Sequence, residues 1–319
     1  MFYPMKLEPA ITEIVWGGTR LISEYGMVTD KKNAAEAWML SCTGEGLSKV
    51  INGEYAGKTL LEIYSANKKI CGFHGSKFEK FPILIKFIDA LDDLSIQVHP
   101  DDEYARFIGE GDGKTEAWYI LDCDEGAELV LGFKQEISEK EFLTAIERGD
   151  LADFVQKVQV KKGDFFFIEA GTLHAICKGI LLAEVQQNSN TTYRVFDYNR
   201  LWDGKLRQLR VDSAIDVTKR EPFVFESRPE YKAETIGNTV RTLLIDCEFF
   251  IIATLDISDS YIGKVDESSF VSLLVLDGSG HLNCAGESMP IKKGESVFIP
   301  AGCGKFTVEG NIKILETQI

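Results

Sequence analysis

The chain has few histidines, a shortage of positive charge, no paired-cysteine motif and no long apolar run, and each scarcity excludes a class of function. No stretch approaches the ~20 consecutive apolar residues that a membrane-spanning helix requires. Lys and Arg number 35 against 50 Asp and Glu, a net charge of −15. Nucleic acids and anionic lipid surfaces bind through Lys and Arg that neutralise phosphate, so neither is expected as a partner. An anionic partner must be small and must meet a local basic pocket. The seven cysteines, at 42, 71, 123, 177, 247, 284 and 303, are odd in number and widely spaced, with no C-x-x-C pair. That pattern argues against a disulfide framework and a thiolate zinc site, and reads as reduced thiols in a cytoplasm. The opening MFYPMKLEPAITEIVW has no charged-then-apolar signal layout.

What is present is a globular composition, 45% hydrophobic and 27% charged, over 319 residues, a length that suits two domains. One phrase occurs twice. KKGDFFFIEAGTLHAI, Lys161 to Ile176, returns as KKGESVFIPAGCGKFTV, Lys292 to Val308. Upstream, EAWYILDCDEGAEL from Glu116 matches VSLLVLDGSGHL from Val271, sharing Leu-Asp at Leu121-Asp122 and Leu276-Asp277. Short apolar runs punctuated by Gly and Asp turns read as antiparallel strands and hairpins.

The copies differ in spacing. Leu121 to Gly163 is 42 positions and Leu276 to Gly294 is 18, so the first copy holds 24 extra residues. Within them, Ser138 with Glu141 three later is a capping-box signature, followed by Phe142, Leu143 and Ile146 at helical spacing. Gly149 breaks that helix and a second short amphipathic one is expected after it. The chain therefore reads as predominantly all-β, two jelly-roll barrels of the architecture that includes the cupins, with a small helical insertion in the first. Residues 1–225 form the first domain, with the insertion at about 136–158, and residues 226–319 the second. Asp203–Gly237 reads as the connection. Runs such as AWMLS and TLLEIY in the first ~80 residues read as strands, with one helix near Lys58–Asn67.

Of four histidines, two lie in strand-like runs, His99 in LSIQVHPDDEYA and His174 in AGTLHAI. Side chains two apart share a strand face, so Ser95 and Gln97 point the same way, as do Gln97 and His99. With Glu116, a set of Gln97, His99, Glu116 and His174 has the donor types for Zn²⁺, and two His with one carboxylate equally suit non-haem Fe(II). A lone histidine in an apolar run is ordinarily a satisfied core residue. The repeat shifts that weighting, because Glu116 aligns with Val271 and His174 with Lys305, so both ligand types vanish while the strand pattern persists. His74 and His281 sit in turn-like CGFHG and GSGHL and are not expected at the site. In LLAEVQQNSNTTYRVFDYNR, Glu184, Gln186, Asn188 and Asn190 alternate on one face, which on spacing alone reads as a solvated edge strand. GDGKT is no phosphate-binding P-loop: the first glycine of that pattern falls on Ile108, and strand-like AWYIL follows where a helix is required.

Taken together, QVHPDDEYA, GKTEAWYI, AGTLHAICKG and EVQQNSNTTYRVFDYNR, in that order and with WGG at Trp16–Gly18, resemble type I mannose-6-phosphate isomerases of the short bacterial form. The resemblance runs from about residue 8 to 202 and is looser in the C-terminal cupin. It implies a cytoplasmic enzyme with one Zn²⁺ per chain that interconverts mannose 6-phosphate and fructose 6-phosphate through an enediol or enediolate, its partner a small sugar phosphate. Carried over residue by residue, Gln97, His99, Glu116 and His174 fall where the family places its metal ligands. Ser95 and Lys114 match positions that hold substrate or its phosphate, Arg194 the arginine regarded as catalytic, and Glu184 an active-site glutamate. Family members commonly have Asp four residues before the arginine, where this chain has Asn190. A non-haem iron oxygenase on His99, Glu116 and His174 and a non-catalytic sugar-phosphate sensor using Ser95, Lys114 and Arg194 are the competing readings. The general base and the oligomeric state stay open at this level.

Overall fold

Strand alternation organises this chain, and it does so around one sheet with two buried faces. The computed structural model describes residues 2–224 and 231–319, so the expected domain boundary at 225/226 lies outside the described residues. A middle sheet of six strands runs in the order Phe165–Ile168, Glu116–Cys123, Ile180–Gln187, Ile83–Ala90, Glu36–Leu40 and Ala10–Thr12. Along its strands, Ile85, Phe87, Ala117, Tyr119, Leu181, Ala183 and Val185 face one core, shared with Ile252, Leu274, Phe298 and Leu315 of the C-terminal sheet. Their neighbours Ile88, Trp118, Ile120, Ile180 and Leu182 face another, shared with Leu129, Leu131 and Ile176 of a five-stranded outer sheet. Period-two alternation between two apolar surfaces makes these strands read as continuous apolar runs.

The outer sheet, ordered Val155–Gln159, Glu128–Phe133, His174–Ile176, Ile96–Val98 and Tyr193–Phe196, turns its far side to helices. Phe142 and Ala145 of helix Glu139–Arg148, and Ala214 of helix Val211–Val217, pack there with Val98, Phe133, Tyr193 and Val195. The expected capping box is formed, and Gly149 closes the first helix at φ 75°. The second expected helix is instead one 3₁₀ turn, Leu151–Asp153, leading into strand Val155–Gln159. Its apolar spacing misleads for a physical reason: Val155 serves the helix-side core and Val158 the inner one, so a strand buried on both faces mimics helical period. The helix expected near Lys58–Asn67 is present as Leu60–Ala66, capped by Thr59 with Glu62, so TLLEIY is helical and not a strand.

The repeat is structural. Glu116 pairs with Ile168, and its counterpart Val271 pairs with Ile299, the counterpart of Ile168. Hydrogen bonds recur too: Ile120 N–H to Asp164 O at 2.9 Å matches Val275 N–H to Glu295 O at 2.9 Å. Gly163 and Gly294, at φ 88° and 85°, take the left-handed turn that a side chain resists. The C-terminal sheet of ten strands also recruits Met5–Glu8 and Lys49–Val50 from the other end of the chain, with Met5 opposite Phe298. The fold is mostly β and of the cupin kind expected, with the helices confined to its surfaces.

Phe298 is fully buried between the halves, 5.0 Å from Phe270 and 6.0 Å from Phe81 between ring centroids. Phe298→Ala should therefore cost about 3–5 kcal/mol in urea unfolding, with one cooperative transition retained. A loss well below ~1 kcal/mol would mean that the two halves do not share this core.

Candidate metal centre

The site lies between the middle and outer sheets, and the registers place it. Across the outer sheet, Arg194 and His174 both pair with Gln97, making one inward row. Across the middle sheet, Trp38, Lys86, Glu184 and Trp118 form a facing row, with Gln186 opposite Glu116 beside it. The same alternation that sends Val98, Ala175 and Val195 to the helices turns Gln97, His174 and Arg194 inward.

His99, Glu116 and His174 converge, their ligand-type atoms all within 4.8 Å of one another. Glu116 Oε1 lies 3.3 Å from His174 Nε2 and Oε2 lies 3.6 Å from His99 Nε2. The three are at most 1% exposed. Each imidazole gives Nδ1 to a backbone carbonyl, His99 to Thr191 O at 2.8 Å and His174 to Thr172 O at 2.9 Å. A proton on Nδ1 leaves Nε2 as a bare lone pair facing the carboxylate, the arrangement in which histidine ligates metal. Both Glu116 oxygens are buried without a hydrogen-bond partner. A buried carboxylate between two acceptor nitrogens, with Lys114 its one cationic neighbour, fits a divalent cation.

Electrostatics agree with that fit. Burial, with Lys114 close by, holds His99 far below its ordinary range, and burial lowers His174 to about 4. Both rings are neutral at physiological pH, the ligating form. Burial raises Glu116 to about 7, although Lys114 Nζ stands 2.8 Å from Oε2 as an ion pair and 3.2 Å from His99 Nε2. Gln97 Nε2 is 3.4 Å from His174 Nε2, and its Oε1 takes a contact from Ser95 Oγ at 3.4 Å. A half-turn of that amide would present oxygen to the centre.

A cavity of about 390 Å³ adjoins the cluster, lined by Ser95, Gln97, Lys114, Glu184 and Arg194 among others. Five of the eight site residues expected from sequence line this cavity, Glu184 among them, and the other three, His99, Glu116 and His174, form the cluster beside it. Glu184 accepts from Trp118 Nε1 at 3.0 Å and lies 3.4 Å from Lys86 Nζ, which also faces Glu36 at 3.6 Å and the Trp38 ring at 5.0 Å. Burial opposes charge on Glu184, but Lys114, Lys86 and the indole outweigh it and hold the carboxyl well below its usual range. The edge-strand reading of this segment fails: Ile180–Gln187 is central, paired on both sides and buried throughout. Sequence reasoning also passed over Lys86, whose signal was a lone cation inside the all-buried strand Ile83–Ala90.

Arg194 lines the cavity with a buried Nε that has no partner. Arg207, beside it, is tied to Asp197 by Nε to Oδ2 at 2.7 Å. Asn190 donates to Glu45 across the cavity mouth, so a carboxylate from a distant turn stands beside the amide. His74 is spent on Ile319 O at 2.8 Å, and His281 is exposed. In the second copy, Val271 fills apolar core and Lys305 is exposed, so no ligand set survives there.

Comparisons with known proteins fall on one family. The family model for the catalytic domain of type I phosphomannose isomerase matches residues 5–135, and that for the mannose-6-phosphate isomerase cupin domain matches residues 239–319. The mannose-6-phosphate isomerase ManA of Bacillus subtilis (strain 168) is 39% identical over 318 residues, 99% of each chain. That of Streptococcus mutans is 36% identical, covering 100% of this chain and 99% of its own. A crystal structure of the mannose 6-phosphate isomerase from Bacillus subtilis superposes with a TM-score of 0.93 over 100% of both chains at 36% identity. The apo mannose 6-phosphate isomerase from Salmonella typhimurium, at 17% identity and a TM-score of 0.74, shares the fold.

Loading the centre should release about one proton per metal near pH 6, because both histidines are already neutral there and Glu116, raised to about 7, is protonated. Apparent metal affinity should fall about tenfold per pH unit below that value and level off above it. Zinc titration calorimetry in buffers of different ionisation heat reads the number directly. Two or more protons released would mean that the imidazoles are charged in the empty centre.

Proposed function

The chain belongs to the type I phosphomannose isomerase family, and from that membership we propose that it interconverts mannose 6-phosphate and fructose 6-phosphate at the His99–Glu116–His174 centre. The observation that carries the reading is the buried Glu116 carboxylate between two bare Nε2 atoms, at the edge of a cavity lined by Lys114 and Arg194. One zinc per chain would be held by His99, Glu116 and His174, with Gln97 completing four donors through its amide oxygen. Zinc bound there supplies Lewis acidity toward a sugar oxygen as charge develops during isomerisation.

The chain's own residues do the rest. Isomerisation removes a proton beside a carbonyl and leaves an enediolate, so the cavity must stabilise anionic oxygen. Arg194, permanently cationic and with a free buried Nε, is placed for that task and is a poor base. Glu184 is ionised but weakly basic, because Lys86, Lys114 and Trp118 hold its charge, which makes it an anchor for the cationic row. His99 and His174 are committed at both ring nitrogens once loaded, so neither is left to carry protons. Ser95 and Lys114, on the cavity wall, are suited to the substrate's oxygens and phosphate. Residues 1–225 would then be the catalytic domain and residues 226–319 a cupin domain without ligands. The seven cysteines, all thiols, suit a cytoplasmic setting.

A coupled assay of fructose 6-phosphate formation, with metal content measured on the same preparation, tests the proposal. Activity should disappear on chelation, return with zinc, and be absent in His174→Ala. Arg194→Ala should lower kcat by about 10²–10³-fold with a smaller effect on KM. Metal-loaded protein that fails to turn over mannose 6-phosphate would sink it, as would iron content accompanied by oxygen uptake.

A further inference from the structure

The cavity beside the metal centre has a carboxylate to which none of this chemistry gives a task. Among the described residues, Glu36, Glu45 and Glu184 are the acidic side chains that line it. Two of them are already committed. Glu184 stands against Lys86 and accepts from Trp118, while Glu36 stands against the same lysine and accepts from Trp38 Nε1 at 2.7 Å. Glu45 faces a neutral group instead. Its carboxylate accepts from the side-chain amide of Asn190, which also lines the cavity, and it forms no ion pair with a described residue.

Both partners are mounted on fixed backbone. Glu45 sits in the turn of a small hairpin, strands Cys42–Thr43 and Gly46–Leu47, in which Thr43 pairs with Gly46. That hairpin is seated on the cavity wall. A Cβ on Gly46 would stand 2.8 Å from Cε3 of Trp38, so the turn comes this close because the residue is glycine. Across the mouth, Ser189 Oγ donates to Asp112 O at 2.8 Å, and Thr191 O takes the Nδ1 proton of His99. Asn190 lies between these two tethers, one residue from the carbonyl that orients His99.

A carboxylate can only accept, so Asn190 must turn its NH₂ toward Glu45. One N–H occupies one lone pair, which leaves the charge and the other lone pairs for a donor inside the cavity. The donors that a sugar phosphate brings are hydroxyls. Its phosphate is repelled by Glu45 and drawn to Lys114, Arg194 and Arg207 elsewhere on the lining. We infer, resting on the isomerase reading above, that Glu45 is a specificity-determining residue: it accepts a hydroxyl of the bound sugar while Asn190 holds its carboxylate across the mouth. The substrate is thereby oriented with its polyol toward the hairpin and its phosphate toward the arginines.

Calorimetric titration of zinc-loaded, full-length protein with glucitol 6-phosphate, an open-chain polyol phosphate that cannot be isomerised, and separately with inorganic phosphate tests the assignment. Glu45→Ala should weaken the polyol phosphate about tenfold or more, the worth of a hydrogen bond to a charged acceptor. Inorganic phosphate should bind that variant as it binds the wild type, or more tightly. Glu45→Gln keeps the shape and can still accept from Asn190, so it should weaken the polyol phosphate by a smaller factor. The inference alone is overturned if wild-type protein binds glucitol 6-phosphate and Glu45→Ala binds it equally well. It is overturned too if both variants lose the two ligands to the same extent, since that is a disturbed pocket and not a lost hydroxyl contact. Wild-type protein that does not bind glucitol 6-phosphate overturns the isomerase reading and this inference with it.

Discussion

Everything at the centre of this molecule depends on compensating charge where water cannot reach. Lys86, Lys114, Glu116 and Glu184 are each at most 6% exposed, between two sheets whose other inward residues are largely apolar. Removing one partner from such a set costs about 3–5 kcal/mol by leaving the other uncompensated, so the set holds together as a unit or not at all. Each carboxylate has a cation against it, Lys86 3.4 Å from Glu184 and Lys114 2.8 Å from Glu116, and Trp118 donates to Glu184 as well. Glu184 Oε2 and both Glu116 oxygens lack an aligned hydrogen bond, but it is Glu116 that faces two imidazole nitrogens, the arrangement suited to a cation.

Strand alternation makes this arrangement possible without cost to either core. Each strand of the middle sheet gives every second residue to the C-terminal half and the rest to the site side. A one-residue slip would send Lys86 and Glu184 into the shared core and expose Phe87 and Val185 to the cavity, so the apolar pattern fixes the register of the polar row.

Much of this was legible in the sequence, and the gaps have physical causes. The strands, the first helix and the convergence of His99, Glu116 and His174 could be read because each leaves a local mark: a capping box at Ser138, alternation from Gln97 to His99, and a repeat that discards Glu116 and His174 in its second copy. Lys86 left only a weak mark, one cation in an apolar run whose partners Glu36 and Glu184 come from strands remote in sequence. Val155–Gln159 was misread because a strand facing two cores imitates a helix. Glu45 beside Asn190 could not be foreseen at all, since a contact across 145 residues depends on the packed fold.

The pairing of Met5 with Phe298 has a consequence in time. A ribosome working at about 5–20 residues per second needs roughly 15–60 s to travel from one to the other. Through that interval the strand Met5–Glu8 has no partner in Ser296–Ile299, while the segments from Ile83 to Phe196, which hold the site, have all emerged. The sandwich that holds the site can assemble early in synthesis, while the Met5–Glu8 strand, paired only with Lys49–Val50, keeps one open edge during translation until the distal sheet arrives.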